Sequence, residues 1–172
     1  MVREELGKMF YDIGLRVGAE IGTEKGIFAE SLCKAGLKLY CIDAWTPYAG
    51  YKDYTKKSTL DSYEAEARER LKPYNATIKK GWSMDLVKNF EDESLDFVYI
   101  DGNHDFKHVT EDISEWGKKV RKGGIISGHD YVRVRSSIEC QVKDVVDAWC
   151  HAYKIKPSFT DDEFTSWYFV KQ

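Results

Sequence analysis

The sequence predicts an α/β protein, a doubly wound and mostly parallel sheet of seven strands forming one domain over residues 1–172. Three observations carry that prediction. Short runs rich in β-branched and aromatic residues alternate with amphipathic helical runs, the pattern of repeated strand–helix–strand units. At 172 residues, with 42% hydrophobic and 14% aromatic content, the chain can bury a sizeable core and is not generally disordered. Two apolar runs each end in a carboxylate and a histidine: Leu95-Asp96-Phe97-Val98-Tyr99-Ile100-Asp101-Gly102-Asn103-His104-Asp105 and Lys122-Gly123-Gly124-Ile125-Ile126-Ser127-Gly128-His129-Asp130-Tyr131. In an open parallel sheet ligands bind beyond the carboxyl ends of the strands, so Asp101, His104, His129 and Asp130 are predicted on one rim.

The elements follow in order. A leading helix over 2–14 precedes a strand at 16–21. Residues 22–26 turn into a helix over 26–36, which Gly36 closes as a left-handed cap. A second strand at 38–42 ends at Asp43. The loop 44–57 carries Trp45, Tyr48, Tyr51 and Tyr54 with Lys52, Lys56 and Lys57, and the segment 44–62 is a candidate lid. A helix over 58–72 is ended by Pro73. Then come a strand at 76–80, a helix near 83–90, a strand at 97–101, a helix over 106–121, a strand at 125–128 and a helix over 137–151. Segments 154–158 and 166–170 are predicted to form a final hairpin.

Bulk properties narrow the function. With 26 Lys+Arg against 29 Asp+Glu the net charge is −3, which gives no electrostatic argument for nucleic acid. The cluster Lys118-Lys119-Val120-Arg121-Lys122 reads as the solvated end of a helix, where cations suit the dipole. No apolar run approaches membrane-spanning length and Met1-Val2-Arg3-Glu4-Glu5 does not resemble a signal peptide, so no membrane partner is expected and the expected location is cytoplasmic. Cys33, Cys41, Cys140 and Cys150 lack metal-ligand spacing and fit a reducing compartment. A homodimer is compatible with the sequence, although no exposed apolar stripe marks an interface.

Ala19-Glu20-Ile21-Gly22-Thr23-Glu24-Lys25-Gly26 joins the first strand to its helix. Gly22 can take the backbone conformation of a tight turn, and Gly26 allows close approach at the helix N-terminus. About twenty residues on, Asp43 is placed to accept hydrogen bonds from ribose hydroxyls. A dinucleotide site needs GxGxxG to cradle a pyrophosphate. Here Glu20 and Glu24 repel such a group and suit a cationic ligand, which S-adenosylmethionine is, through its ammonium and sulfonium.

At this point the chain resembles the class I S-adenosylmethionine-dependent methyltransferases, and more narrowly a small, macrocin O-methyltransferase-like group. The residues that carry the resemblance are Ile100-Asp101-Gly102-Asn103-His104-Asp105-Phe106, Trp116, and Gly123-Gly124 through His129-Asp130-Tyr131. The resemblance implies a Rossmann-like sheet of order 3-2-1-4-5-7-6 with the seventh strand antiparallel. It implies that Glu20, Gly22 and Gly26 line the methionine portion of the cofactor and that Asp43 holds the ribose. Trp45 would pack on the adenine. Gly81-Trp82-Ser83 matches the segment at the adenine edge, although Trp82 stands where the group more often has a small or acidic residue.

Asp101 is implied beside both cofactor and acceptor. In metal-dependent relatives such a carboxylate joins two oxygen ligands after the fifth strand, which points to Asp101, His129 and Asp130 as ligands of Mg2+ or another divalent cation. The competing reading is metal-free: His129 or His104 takes the acceptor proton, oriented by Asp130 or Asp101. The expected partner is a small-molecule acceptor such as a sugar or an antibiotic-like metabolite, methylated on a hydroxyl oxygen.

Rival readings are a metallophosphoesterase, from the string Gly102-Asn103-His104-Asp105, a nicotinamide-dependent oxidoreductase, and an S-adenosylmethionine-binding protein without catalysis. The first lacks the upstream DxH and GDxxD strings that a two-metal site needs. The second lacks GxGxxG.

Overall fold

The structure is a computed structural model and describes residues 1–48, 56–132 and 140–172. Strand β1 (Val17–Ile21) and strand β4 (Leu95–Ile100) are apolar on both faces, as strands covered on both sides must be. The period of two sends Phe97 and Tyr99 to one face and Val98 and Ile100 to the other. Strands β2 (Lys38–Asp43), β3 (Ala76–Lys80) and β5 (Val120–Gly128) run parallel to them, and β7 (Trp167–Val170) and β6 (Ser158–Phe159) complete the sheet. The order is β3-β2-β1-β4-β5-β7-β6, with β7 antiparallel to β5. Both the order and the antiparallel strand are as the sequence predicts.

Helices cover the two faces. A 3-10 turn (Arg3–Glu5), α1 (Leu6–Asp12) and α2 (Ile27–Lys34) pack Leu6, Phe10, Phe28 and Leu32 against Phe97 and Tyr99. On the opposite face α5 (Phe106–Lys119) and α6 (Val142–Tyr153) bury Val109, Ile113, Trp116 and Val146 against Val98, Ile100 and Ile126. The remaining helices are α3 (Lys57–Leu71) and the short α4 (Ser83–Leu86). Among the described residues no helix is long and apolar enough to cross a membrane.

The differences from expectation lie at element ends. Strand β5 starts at Val120 rather than Ile125, its pairing with β4 shifting register between Leu95 and Phe97. Helix α6 runs on to Tyr153, where Lys154 takes a left-handed conformation as C-cap, and this pushes β6 to Ser158. Of its predicted start at 137, residues 137–139 lie outside the described residues, as do Tyr51, Lys52 and Tyr54 of the candidate lid.

Candidate active site

The strand order reverses between β1 and β4, and a cavity of about 800 Å³ opens there at the carboxyl ends of the strands. That is the expected binding place in an open α/β sheet, and the volume suits a cofactor-sized ligand.

One end of the cavity is built by the turn after β1. Gly22 has φ +90, and a Cβ there would lie 2.0 Å from the Asp101 carbonyl oxygen, so only glycine lets this turn meet the end of β4. Glu20 points from β1 into the cavity and is buried, with Oε2 accepting no hydrogen bond. Burial pushes its carboxyl up to about 8, with Thr23 opposing the shift. At the end of β2 the Asp43 carboxylate accepts from the Glu24 N–H at 2.9 Å and from the Trp45 N–H at 2.8 Å. Trp82 and Tyr48 meet edge-to-face at 5.2 Å on the cavity wall, and Trp82 is exposed. Beneath them Ser83 donates to Asp112 and accepts from the Trp116 indole N–H at 2.7 Å. Burial raises the Asp112 carboxyl to about 7, partly offset by Ser83.

The other end is a closed ring of charged and imidazole groups after β4 and β5. Arg3 donates to Asp101 Oδ2 at 2.6 Å. His104 Nε2 lies 3.6 Å from Asp101 Oδ1 and 3.3 Å from Asp130 Oδ2. His129 Nδ1 lies 3.1 Å from Asp130 Oδ2, and its Nε2 is 3.4 Å from Arg3 Nη1, which closes the ring. A guanidinium only donates, so Nε2 of His129 carries the lone pair and Nδ1 the proton directed at Asp130. Although half-buried, Asp101 titrates below the usual carboxylate range: desolvation opposes this, and the His104 hydrogen bond with the charge of Arg3 prevails. Asp130 has φ +54, a left-handed conformation uncommon outside glycine.

Several predicted site residues line the cavity together: Glu20, Gly22, Asp43, Trp82, Ser83, Asp101 and His104. Others are placed elsewhere. Trp45, expected on the adenine, has φ +40, which turns it under α3 to pack with Leu60 and Ala67 while its indole N–H donates to the Glu24 carbonyl. Gly26 is not among the residues lining the cavity, and a Cβ there would come within 3.3 Å of α3 at Leu71 and Ala67. His129 and Asp130 stand behind the cavity wall. Among the described residues, the side chains whose donor atoms all lie within 4.8 Å of one another, close enough to hold one ion, are Asp101, His104 and Asp130; His129, expected as a ligand, is not in that group. Arg3, Tyr48 and Asp112 were not singled out by sequence as parts of the site. Tyr48 was visible as a lid aromatic, whereas nothing near Arg3 or Asp112 marked either.

The string Gly102-Asn103-His104-Asp105 has a local explanation as the entry to α5. Asn103 accepts from the Asp105 N–H at 3.0 Å, and Asp105 caps the helix by accepting from the His108 N–H at 2.9 Å. This accounts for the resemblance to a hydrolase motif without a second metal.

Comparison with known proteins follows from this geometry. The chain superposes on an O-methyltransferase from Bacillus cereus in complex with SAH, at 16% identity and a TM-score of 0.73, over 98% of this chain and 80% of the other. The O-methyltransferase TomG from Streptomyces achromogenes, involved in tomaymycin synthesis and in complex with SAM, gives 15% identity and 0.74, over 99% and 79%. A precorrin-6y C5,15-methyltransferase from Geobacter metallireducens gives 10% identity and 0.67, over 98% and 87%. At these identities the likeness establishes the fold. No curated protein sequence matches the chain. A profile described as a methyltransferase domain matches residues 19–131, from the middle of β1 to Tyr131, which includes the cavity lining and the ring except for Arg3 and Glu4. The chain belongs to this methyltransferase family.

Proposed function

We propose that the protein transfers a methyl group from S-adenosylmethionine to a hydroxyl oxygen of a small molecule. The observation that carries this reading is a single cavity joining two unlike ends: Glu20, Gly22 and Asp43 at one, Asp101 and His104 at the other. The Glu20 carboxylate, whose Oε2 has no hydrogen-bond partner, and the glycine turn fit the methionine portion of the cofactor, and Asp43 fits the ribose. Trp82 and Tyr48 take the adenine role first expected of Trp45. When bound, the cofactor supplies an electrophilic methyl on a sulfonium, ready for in-line displacement.

The chain's own residues do the remainder. Positioning and exclusion of water supply much of the rate, and His104 on the cavity wall accepts the acceptor's hydroxyl proton. Asp101 and Asp130 flank His104 and stabilise the imidazolium that results. The donor set Asp101, His104 and Asp130 also fits Mg2+ or a similar ion. Such an ion would lower the acceptor hydroxyl's pKa in place of the imidazole.

The supporting experiment is calorimetry with S-adenosylhomocysteine and NADH, followed by a screen of hydroxylated acceptors with labelled cofactor, with and without EDTA. Binding of S-adenosylhomocysteine alone and transfer to an oxygen are expected. Binding of NADH alone would sink the reading.

A further inference from the structure

The cofactor proposed above is a zwitterion at its amino-acid end, and a site for it must meet an ammonium and a carboxylate side by side. Glu20 meets the first. Its Oε2 is one of the buried polar atoms without a hydrogen-bond partner, and an acceptor buried in that way is costly until a donor arrives. A second such atom on the same cavity wall is the Nε of Arg3. Arg3 otherwise makes one hydrogen bond to Asp101 and one close approach to His129, so its guanidinium retains N–H groups to spend.

Arg3 is fixed rather than free to sweep the surface. Its guanidinium stacks 4.3 Å above the Phe28 ring at the start of α2 and 5.3 Å from the Tyr99 ring. Its backbone N–H donates to Asp162 at 2.6 Å, and the Asp161 N–H donates to the Met1 carbonyl at 2.9 Å, so the turn before β7 anchors the segment. Apart from Arg3, the fixed cation on the cavity wall among the described residues is Lys107, which extends from α5 with its side chain 73% exposed and paired to Glu111. Among the described residues, an anionic group arriving beside Glu20 therefore finds one half-buried cation.

We propose that Arg3 is a cofactor-binding residue that takes the α-carboxylate of the methionine moiety, opposite Glu20, which takes the ammonium. This rests on the methyl-transfer reading and adds to it a residue contributed from outside the region matched by the family. A planar guanidinium can hold a carboxylate and Asp101 at once through different N–H edges. Arg3 thus joins the amino-acid end of the cofactor to the acceptor end of the cavity.

The test is calorimetric titration of the wild type, Arg3→Met and Arg3→Lys with S-adenosylhomocysteine and with its decarboxylated analogue, which keeps the ammonium and the adenosine. The wild type should favour the carboxylate-bearing ligand by about tenfold or more, the worth of one charge-assisted contact. In Arg3→Met this preference should collapse to about twofold or less through weaker binding of S-adenosylhomocysteine alone, and Arg3→Lys should keep part of it. Arg3→Gln gives the same comparison if Arg3→Met does not fold. An unchanged preference, or equal weakening of both ligands, overturns the assignment and leaves Arg3 a structural partner of Asp101. If the wild type binds neither ligand, the methyl-transfer reading itself falls.

Discussion

At the scale of single residues, the site is governed by where protons and lone pairs are held. Burial disfavours the charge of Glu20 and pushes its carboxyl up to about 8, so at neutral pH the ligand-free protein holds it largely protonated. A ligand ammonium favours the carboxylate, and binding must expel that proton. Calorimetry of S-adenosylhomocysteine near pH 7, in buffers of different ionisation enthalpy, should report close to one proton released, with affinity rising from about pH 6 to about pH 8. A buffer-independent enthalpy would show that Glu20 is not the ammonium's partner. The two histidines divide in a similar way. His104 lines the cavity, whereas His129 turns its lone pair to Arg3. His104→Ala should cost turnover about a hundredfold, in the range of general-base catalysis, with S-adenosylhomocysteine affinity little changed. His129→Ala should cost distinctly less, and the reverse ranking would return the base role to His129.

At the scale of elements, the strands depend on half-buried carboxylates as well as on apolar contacts. Asp96 on β4 accepts from the backbone N–H groups of Arg16 and Val17 at 2.8 and 2.9 Å and from the Arg121 side chain on β5 at 2.6 Å. It thereby ties together the starts of three neighbouring strands. Asp96→Ala should destabilise the fold by about 1–2 kcal/mol, measured by urea unfolding, because it removes the shared acceptor of two backbone N–H groups, one exposed and one half-buried, and of a guanidinium. A loss below about 0.5 kcal/mol would mean that water replaces the carboxylate. The strands and helices around the site were legible because their apolar periods differ, two against 3.6, and because Gly22, Asp43, Asp101 and His129 punctuate the strand ends. Element ends were less legible. The final hairpin was placed too early because Lys154, a cation in an extended-looking run, is the left-handed cap of α6. Trp45 read as an adenine platform from its distance to Asp43, but the sign of one φ angle decides which side of β2 it faces. The sequence carries no local trace of that sign. Arg3 was invisible for another reason: its partner Asp101 is 98 positions away, and an arginine in a charged leading segment has the signature of a solvated one.

At the scale of the molecule, opposing titrations set where the fold is most stable. Glu20 and Asp112, raised to about 8 and about 7 from 4.5 and 3.8, stabilise the fold fully below their unfolded values and lose that contribution as pH rises through the folded ones. Asp96, Asp101 and Asp105, all lowered from 3.8, stabilise it above that value and lose it as pH falls. The thermal midpoint of the ligand-free protein should therefore peak at about pH 5–6 and decline toward about pH 9, with S-adenosylhomocysteine flattening the alkaline decline. Scanning calorimetry across that range checks it, and a midpoint still climbing above about pH 7 would contradict the burial of these carboxyls. The ring that closes through Arg3 has one more consequence, in time rather than in energy. On a ribosome the N-terminal turn and β1 emerge long before β4, and Arg3 has no Asp101 to meet until β4 has paired beside β1. The ring's remaining members, His129 and Asp130, arrive later still. A nascent chain can thus collapse α1 and α2 onto its first strands while the cavity stays unassembled, and competence to hold a ligand becomes a report that the centre of the sheet is complete.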